Sequence, residues 1–109
     1  MIDTVIPKFP SNSEIATCIV SGMTKSEARE KLCVYVTYSA NKTTEAKINK
    51  IYKVAWKIEE WKKKNPDKPV HMQYLKTYMK TRTNLHPKEA ENIITAIMEA
   101  QARKKEENF

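Results

Sequence analysis

The chain has little glycine, little cysteine and no long apolar run, and each shortage excludes something. A single glycine, Gly22, stands among 109 residues. Sandwiches, barrels and phosphate-cradling loops need several glycines at special backbone angles, so those folds are disfavoured. No dinucleotide-binding or Walker loop can be written around one glycine. The two cysteines, Cys18 and Cys33, both sit in apolar context. Reduced, buried thiols are the expectation, with one disulfide as the alternative. No apolar stretch approaches the roughly 18 residues of a membrane span, and Met1–Pro10 lacks the basic-then-apolar pattern of a secretory leader. The expectation is a cytoplasmic protein with no membrane partner. His71 and His86 stand apart, and no His/Cys cluster has metal-ligand spacing. No carboxylate pair or nucleophile sits in a recognisable catalytic context. We therefore expect no metal, no cofactor and no enzymatic activity.

What the chain does have is positive charge, and that charge is localised. The formal net charge is +7. Residues 1–40 carry four basic and four acidic side chains; residues 41–65 carry eight lysines against three glutamates; residues 66–85 carry four basic residues against one acidic; residues 86–109 are slightly acidic. A localised positive stripe is an electrostatic footprint for a polyanion.

Lys, Glu, Ala, Ile and Met are abundant and favour helices. The fold class expected is all-α: one small bundle of about five helices over residues 11–102, preceded by an extended arm over residues 1–10 and followed by a charged, fraying tail over residues 103–109. In the arm, Pro7 and Pro10 forbid a helix, and Ile2, Val5, Ile6 and Phe9 are free to dock on the core or on a second subunit. Ser11 or Ser13 caps a short helix over Glu14–Val20, which Ser21-Gly22 ends. Thr24 and Glu27 form a capping box that opens a helix from Lys25 to about Tyr38, with Ala28, Leu32, Tyr35 and Val36 inward. Residues 32–38 also have strong strand propensity, so helix and strand both stay open there. Asn41–Thr44 breaks and re-caps the chain. A third helix spans about Thr44–Lys64, with Ile48, Ile51, Tyr52, Val54, Ala55, Ile58 and Trp61 on its apolar half. A Pro66/Pro69 turn stops it. A fourth helix over Val70–Lys80 turns Met72, Leu75, Tyr78 and Met79 inward. The last helix starts at His86-Pro87 with the stripe Ala90, Ile93, Ile94, Ile97 and Ala100.

Met23–Ala28 echoes Leu85–Ala90, each lying between a short apolar helix and a longer one. The two stretches read either as a duplicated helical hairpin or as two independent ways of starting an amphipathic helix. Residues 74–100, with the turn Lys80-Thr-Arg-Thr-Asn84-Leu85 and the opening Lys88-Glu-Ala90, resemble the N-terminal helical hairpin of the HU/IHF family of DNA-architectural proteins. The family's β-ribbon arms, which insert into DNA, have no counterpart in this chain. The resemblance thus implies a packing or dimerising unit and transfers no DNA-contacting residue.

Two clusters are candidate nucleic-acid contacts. At about 100° per residue, Lys50, Lys53, Lys57 and Lys64 share an arc of roughly 60° beside the apolar half of the third helix. By this pattern no carboxylate lies inside the stripe, and Lys47, Lys62 and Lys63 widen it. Each lysine can pair with a phosphate and release counterions; the alternative is an ordinary solvated helix face. The turn Thr81-Arg82-Thr83-Asn84, with His86 and Lys88, can meet phosphates or base edges, Arg82 suiting guanine and Asn84 adenine; the alternative is a plain capping loop. Trp56 and Trp61 border the charged face and can stack on bases or pack internally. The expected function is non-catalytic nucleic-acid binding, DNA before RNA, by an accessory protein, with a homodimer in view and a phage or plasmid as a fitting source. An adaptor or inhibitor docking an acidic protein surface is the alternative, and a structural subunit a third.

Overall fold

The computed structural model describes residues 9–80 and 82–107. Five helices run through them: α1 (Asn12–Val20), α2 (Lys25–Leu32), α3 (Tyr38–Lys64), α4 (Met72–Lys80) and α5 (Pro87–Glu107). No strand occurs among the described residues, so the all-α expectation holds. Ile2, Val5 and Ile6 of the arm, and Thr81, lie outside the described residues.

Local chemistry sets most helix ends. Ser11 caps α1, its Oγ accepting the Glu14 N–H at 3.1 Å. Gly22, at φ +85°, takes the left-handed turn that ends this helix, where a side chain would be strained. The capping box of α2 closes in both directions: Thr24 Oγ1 accepts the Glu27 N–H at 3.2 Å, and the Thr24 N–H donates to Glu27 Oε1 at 3.1 Å. Both histidines act as caps. Nδ1 of His71 accepts the Gln73 N–H and Nδ1 of His86 accepts the Lys88 N–H, each at 3.2 Å, ahead of α4 and α5.

Residues 33–37 are neither helix nor strand. The expected second helix stops at Leu32, and α3 begins at Tyr38, six residues before the expected start. Asn41 explains both differences. Its side-chain oxygen accepts the Tyr35 N–H at 2.9 Å and its amide donates to the Tyr35 carbonyl at 3.0 Å. One side chain thereby supplies both partners that a helix or ladder would give Tyr35. Asn41–Thr44 is not a break but part of the opening turns of α3, whose cap is Thr37. Val36 is not core; it is fully exposed, with Val34 and Tyr38 also outward. Tyr35 is half-buried, its ring tilted against Phe9 at 5.5 Å.

The core forms where α3 and α5 meet the shorter helices. Ile15, Ala16 and Cys18 come from α1, and Ala28 from α2. The inward faces of α3, α4 and α5 are nearly those expected: Ile48, Ile51, Val54, Ile58, Trp61, Leu75, Tyr78, Met79, Ile93, Ile94 and Ile97 are all buried. Helix α5 is the shared spine, with α1 and α4 packed on it and α3 touching all four others. The two echoing segments do not pack alike. Helix α4 lies on α5, whereas α2 lies on α3 and has little contact with α1. The Tyr52 hydroxyl pins the α1–α2 connection by donating to the Met23 carbonyl at 2.7 Å. At the far end α5 is helical through Glu107, five residues beyond the expected domain limit at 102. Arg103 donates to Ser13 Oγ at 3.1 Å, and Lys104 to the carbonyl of Val20 at the C-terminus of α1, where a cation is favoured. Two hydroxyls in the interior, those of Thr44 and Tyr78, are buried with no hydrogen-bond partner among the described residues.

Candidate nucleic-acid interface

The lysines of α3 flank its buried half, as its periodicity requires, but their charges are not all free. Lys50 Nζ lies 2.6 Å from Glu89 Oε1 of α5. Lys57 Nζ is 3.2 Å from Glu60 Oε2, and Lys64 Nζ is 3.8 Å from the other oxygen of Glu60. Two carboxylates therefore enter the stripe that the helical pattern left clear. Glu60 borders it on α3 itself, and Glu89 reaches it from 39 positions away. Lys53 is exposed and has no ion-pair or hydrogen-bond partner among the described residues. The Lys57 hydrogen bond holds the Glu60 carboxyl below the ordinary carboxylate range, against a smaller opposing effect of desolvation. The nearby Tyr78 hydroxyl and the charge of Lys64 act in the same direction, though that hydroxyl closes no hydrogen bond of normal geometry.

Lys47 does not join the stripe's other lysines in facing outward. Its Nζ donates to the Pro10 carbonyl at 2.7 Å and ties α3 to the segment before α1. Lys62 pairs with Glu59 at 3.4 Å, and Lys63 is exposed.

The turn between α4 and α5 meets the stripe directly. A groove of about 350 Å³ is lined by Asn49, Lys50 and Lys53 on one side and by Thr83, Asn84, Leu85 and Glu89 on the other. Two candidates separated by some thirty residues in the sequence thus share one surface. Arg82 lies over the Tyr78 ring, its guanidinium carbon 3.9 Å from the centroid, and donates to the Tyr78 carbonyl at 3.3 Å. Lys64 approaches the same ring at 5.9 Å. Thr83 turns inward, its hydroxyl donating to the Met79 carbonyl at 3.0 Å, while Asn84 and Lys88 are exposed.

Aromatic rings alternate with these cations. Trp56 is 62% exposed, with Lys57 Nζ 5.1 Å from its ring centre. Trp61 packs internally, stacked on Tyr74 at 6.1 Å, and Lys68 covers Tyr74 at 5.8 Å. Asn49, Lys68, Tyr74 and Tyr78 were not picked out by sequence reasoning as part of this surface. The spacing of Tyr74 and Tyr78 by four residues was the available signal, since it puts both rings on one side of α4. Five cations (Lys50, Lys53, Lys57, Lys64 and Arg82) face two carboxylates (Glu60 and Glu89), leaving a net positive surface.

Elsewhere the chemistry is quiet. Cys18 and Cys33 are free thiols. Burial, then the charge of Glu45, pushes the Cys33 thiol above its ordinary pKa despite Arg29, which disfavours the reactive thiolate. Among the described residues no three His, Cys, Asp or Glu side chains group to hold a metal, and no helix is long and apolar enough to cross a membrane. No protein-family model, curated protein or solved structure matches this chain.

Proposed function

We propose that this chain is a non-catalytic DNA-binding accessory protein that grips the phosphate backbone with the lysine face of α3 and the α4–α5 turn. The observation that carries the reading is the convergence of Lys50, Lys53 and Asn84 on one groove, within the region that holds the whole positive excess of the chain. Phosphate contacts by lysine supply affinity without sequence information, and the exposure of Asn84 supports an added base-edge contact. Arg82 serves either as a further phosphate contact or, after leaving Tyr78, as a base reader. The resemblance of α4–α5 to the HU/IHF hairpin supports a role for that unit in dimer packing. A cytoplasmic homodimer from a phage or plasmid fits the same reading.

The test is a fluorescence-polarisation titration against labelled random duplex at two salt concentrations. Affinity should be micromolar or tighter and fall steeply with salt. Lys53→Glu with Lys57→Glu should abolish binding while leaving the helical circular-dichroism signal unchanged. Unchanged binding by the double variant would reduce the stripe to a solvated surface. A protein adaptor is the second reading, favoured by the exposed Val34, Val36 and Tyr38. It predicts a stoichiometric acidic partner that survives nuclease treatment in pull-downs.

A further inference from the structure

We infer that Trp56 is a stacking platform for an unpaired base, so that the cationic face takes single-stranded nucleic acid in addition to duplex. The inference rests on the DNA-binding reading above and deepens it.

An indole left 62% exposed in the middle of a long helix needs a reason. Its neighbours one turn away on the helix surface are Tyr52, Lys53, Glu59 and Glu60, with Asn49 and Lys63 two turns away, and the adjacent Lys57 reaches the ring itself. A tryptophan anchoring a protein interface normally sits in an apolar, desolvated patch, and this ring has a polar surround instead. A polar, cationic surround is what a ring that stacks on bases has, because the phosphates on either side of the stacked base need counter-charges. Lys53 and Lys57 stand one turn apart on α3, Lys57 against the ring and Lys53 with no carboxylate partner among the described residues. The ring is also partly pre-oriented: Lys57 sits over it while held at 3.2 Å from Glu60. A nucleotide stacked on the other face of the indole would find a fixed cation across the ring and another, Lys53, a turn away. In a duplex the base faces are already covered by their neighbours, so this contact is available only to an unpaired base.

The experiment compares a labelled oligothymidylate of about 16 nucleotides with a mixed-sequence duplex of similar length. Wild-type protein, Trp56→Ala and Trp56→Phe are titrated by polarisation. The Trp61→Phe protein, in which Trp56 is the remaining tryptophan, is followed by its intrinsic fluorescence. Stacking predicts quenching of Trp56 by the single strand. It also predicts that Trp56→Ala weakens single-strand binding by about 5- to 150-fold while duplex binding holds, and that Trp56→Phe keeps most of the affinity. The inference is overturned if Trp56→Ala lowers neither affinity or lowers both equally, or if the single strand binds without quenching. In those cases the wild type still binds duplex in a salt-dependent way, so the cationic-face reading stands. Failure of the wild type to bind either probe at low salt would overturn both.

Discussion

Replacing Lys53 and Lys57 with glutamine, which removes charge without reversing it, should change the salt dependence of DNA binding by a calculable amount. Five cations line the face: Lys50, Lys53, Lys57, Lys64 and Arg82. If each neutralises one phosphate of a duplex, the slope of log affinity against log salt is about −4.5. Raising salt from about 50 to about 200 mM then weakens binding about 500-fold. With two cations gone the slope falls to about −2.7, and the same change in salt weakens binding only about 40-fold. The structure supplies an internal control of opposite sign. Glu60 holds both Lys57 and Lys64, so Glu60→Gln should tighten binding at every salt concentration by releasing them. Polarisation titrations across a salt series measure all three slopes, with circular dichroism as the folding check. A double variant whose slope matches the wild type would refute the argument, as would a Glu60→Gln protein that binds more weakly.

Other consequences concern the scaffold. Ile94 is fully buried on α5, and Ile94→Ala should cost about 2–5 kcal/mol, read as a drop of at least about 8 °C in thermal midpoint; a smaller drop would mean that α5 is not the spine described. Thr44→Val removes a buried hydroxyl that has no partner among the described residues and should raise stability by about 1 kcal/mol in urea unfolding; a lower midpoint would show that the hydroxyl is satisfied in solution. Asn41→Ala should reduce the protection of the Tyr35 amide in hydrogen exchange while the amides in the middle of α3 stay protected, because the Asn41 side chain bonds both backbone groups of Tyr35. Glu27 and Glu60 are both held below the ordinary carboxyl pKa of 4.5, Glu27 chiefly by the Thr24 backbone N–H and Glu60 chiefly by Lys57. Their stabilisation is therefore complete above that value and disappears as pH falls through the lowered one; thermal melts from neutral to acid pH should show this loss, reduced in Glu27→Ala.

Periodicity was enough to read the inward faces of α3, α4 and α5, because long amphipathic helices repeat the same signal over several turns. Caps at Ser11 and Thr24 were legible for the same reason that they work: a side-chain oxygen three residues before a free N–H. Residues 33–44 were not legible. The β-branched and aromatic run from Cys33 to Tyr38 carries conflicting propensities, and the deciding contact is a side chain inside α3 that bonds backwards to Tyr35. The Asn41-Lys-Thr-Thr44 sequence has the composition of a cap, but the cap used is Thr37. At the candidate site the lysine stripe and the turn were each readable. Their meeting was not, since the α3–α5 contact that joins Lys50 to Glu89 is set by tertiary packing.

The dependence of α1 on α5 has a consequence for how the chain acquires its structure. Helix α1, made before the other four described helices, rests on α5, through Ser13, Thr17 and Val20 against Arg103 and Lys104. At about 5–20 residues per second, α1 must wait on the order of 5–20 s for its partner to emerge. Throughout that interval Ile15, Ala16 and Cys18 have no α5 to cover them. A nascent chain halted before α5 should therefore be open to protease at α1, and a release of the complete helix should close it in one step.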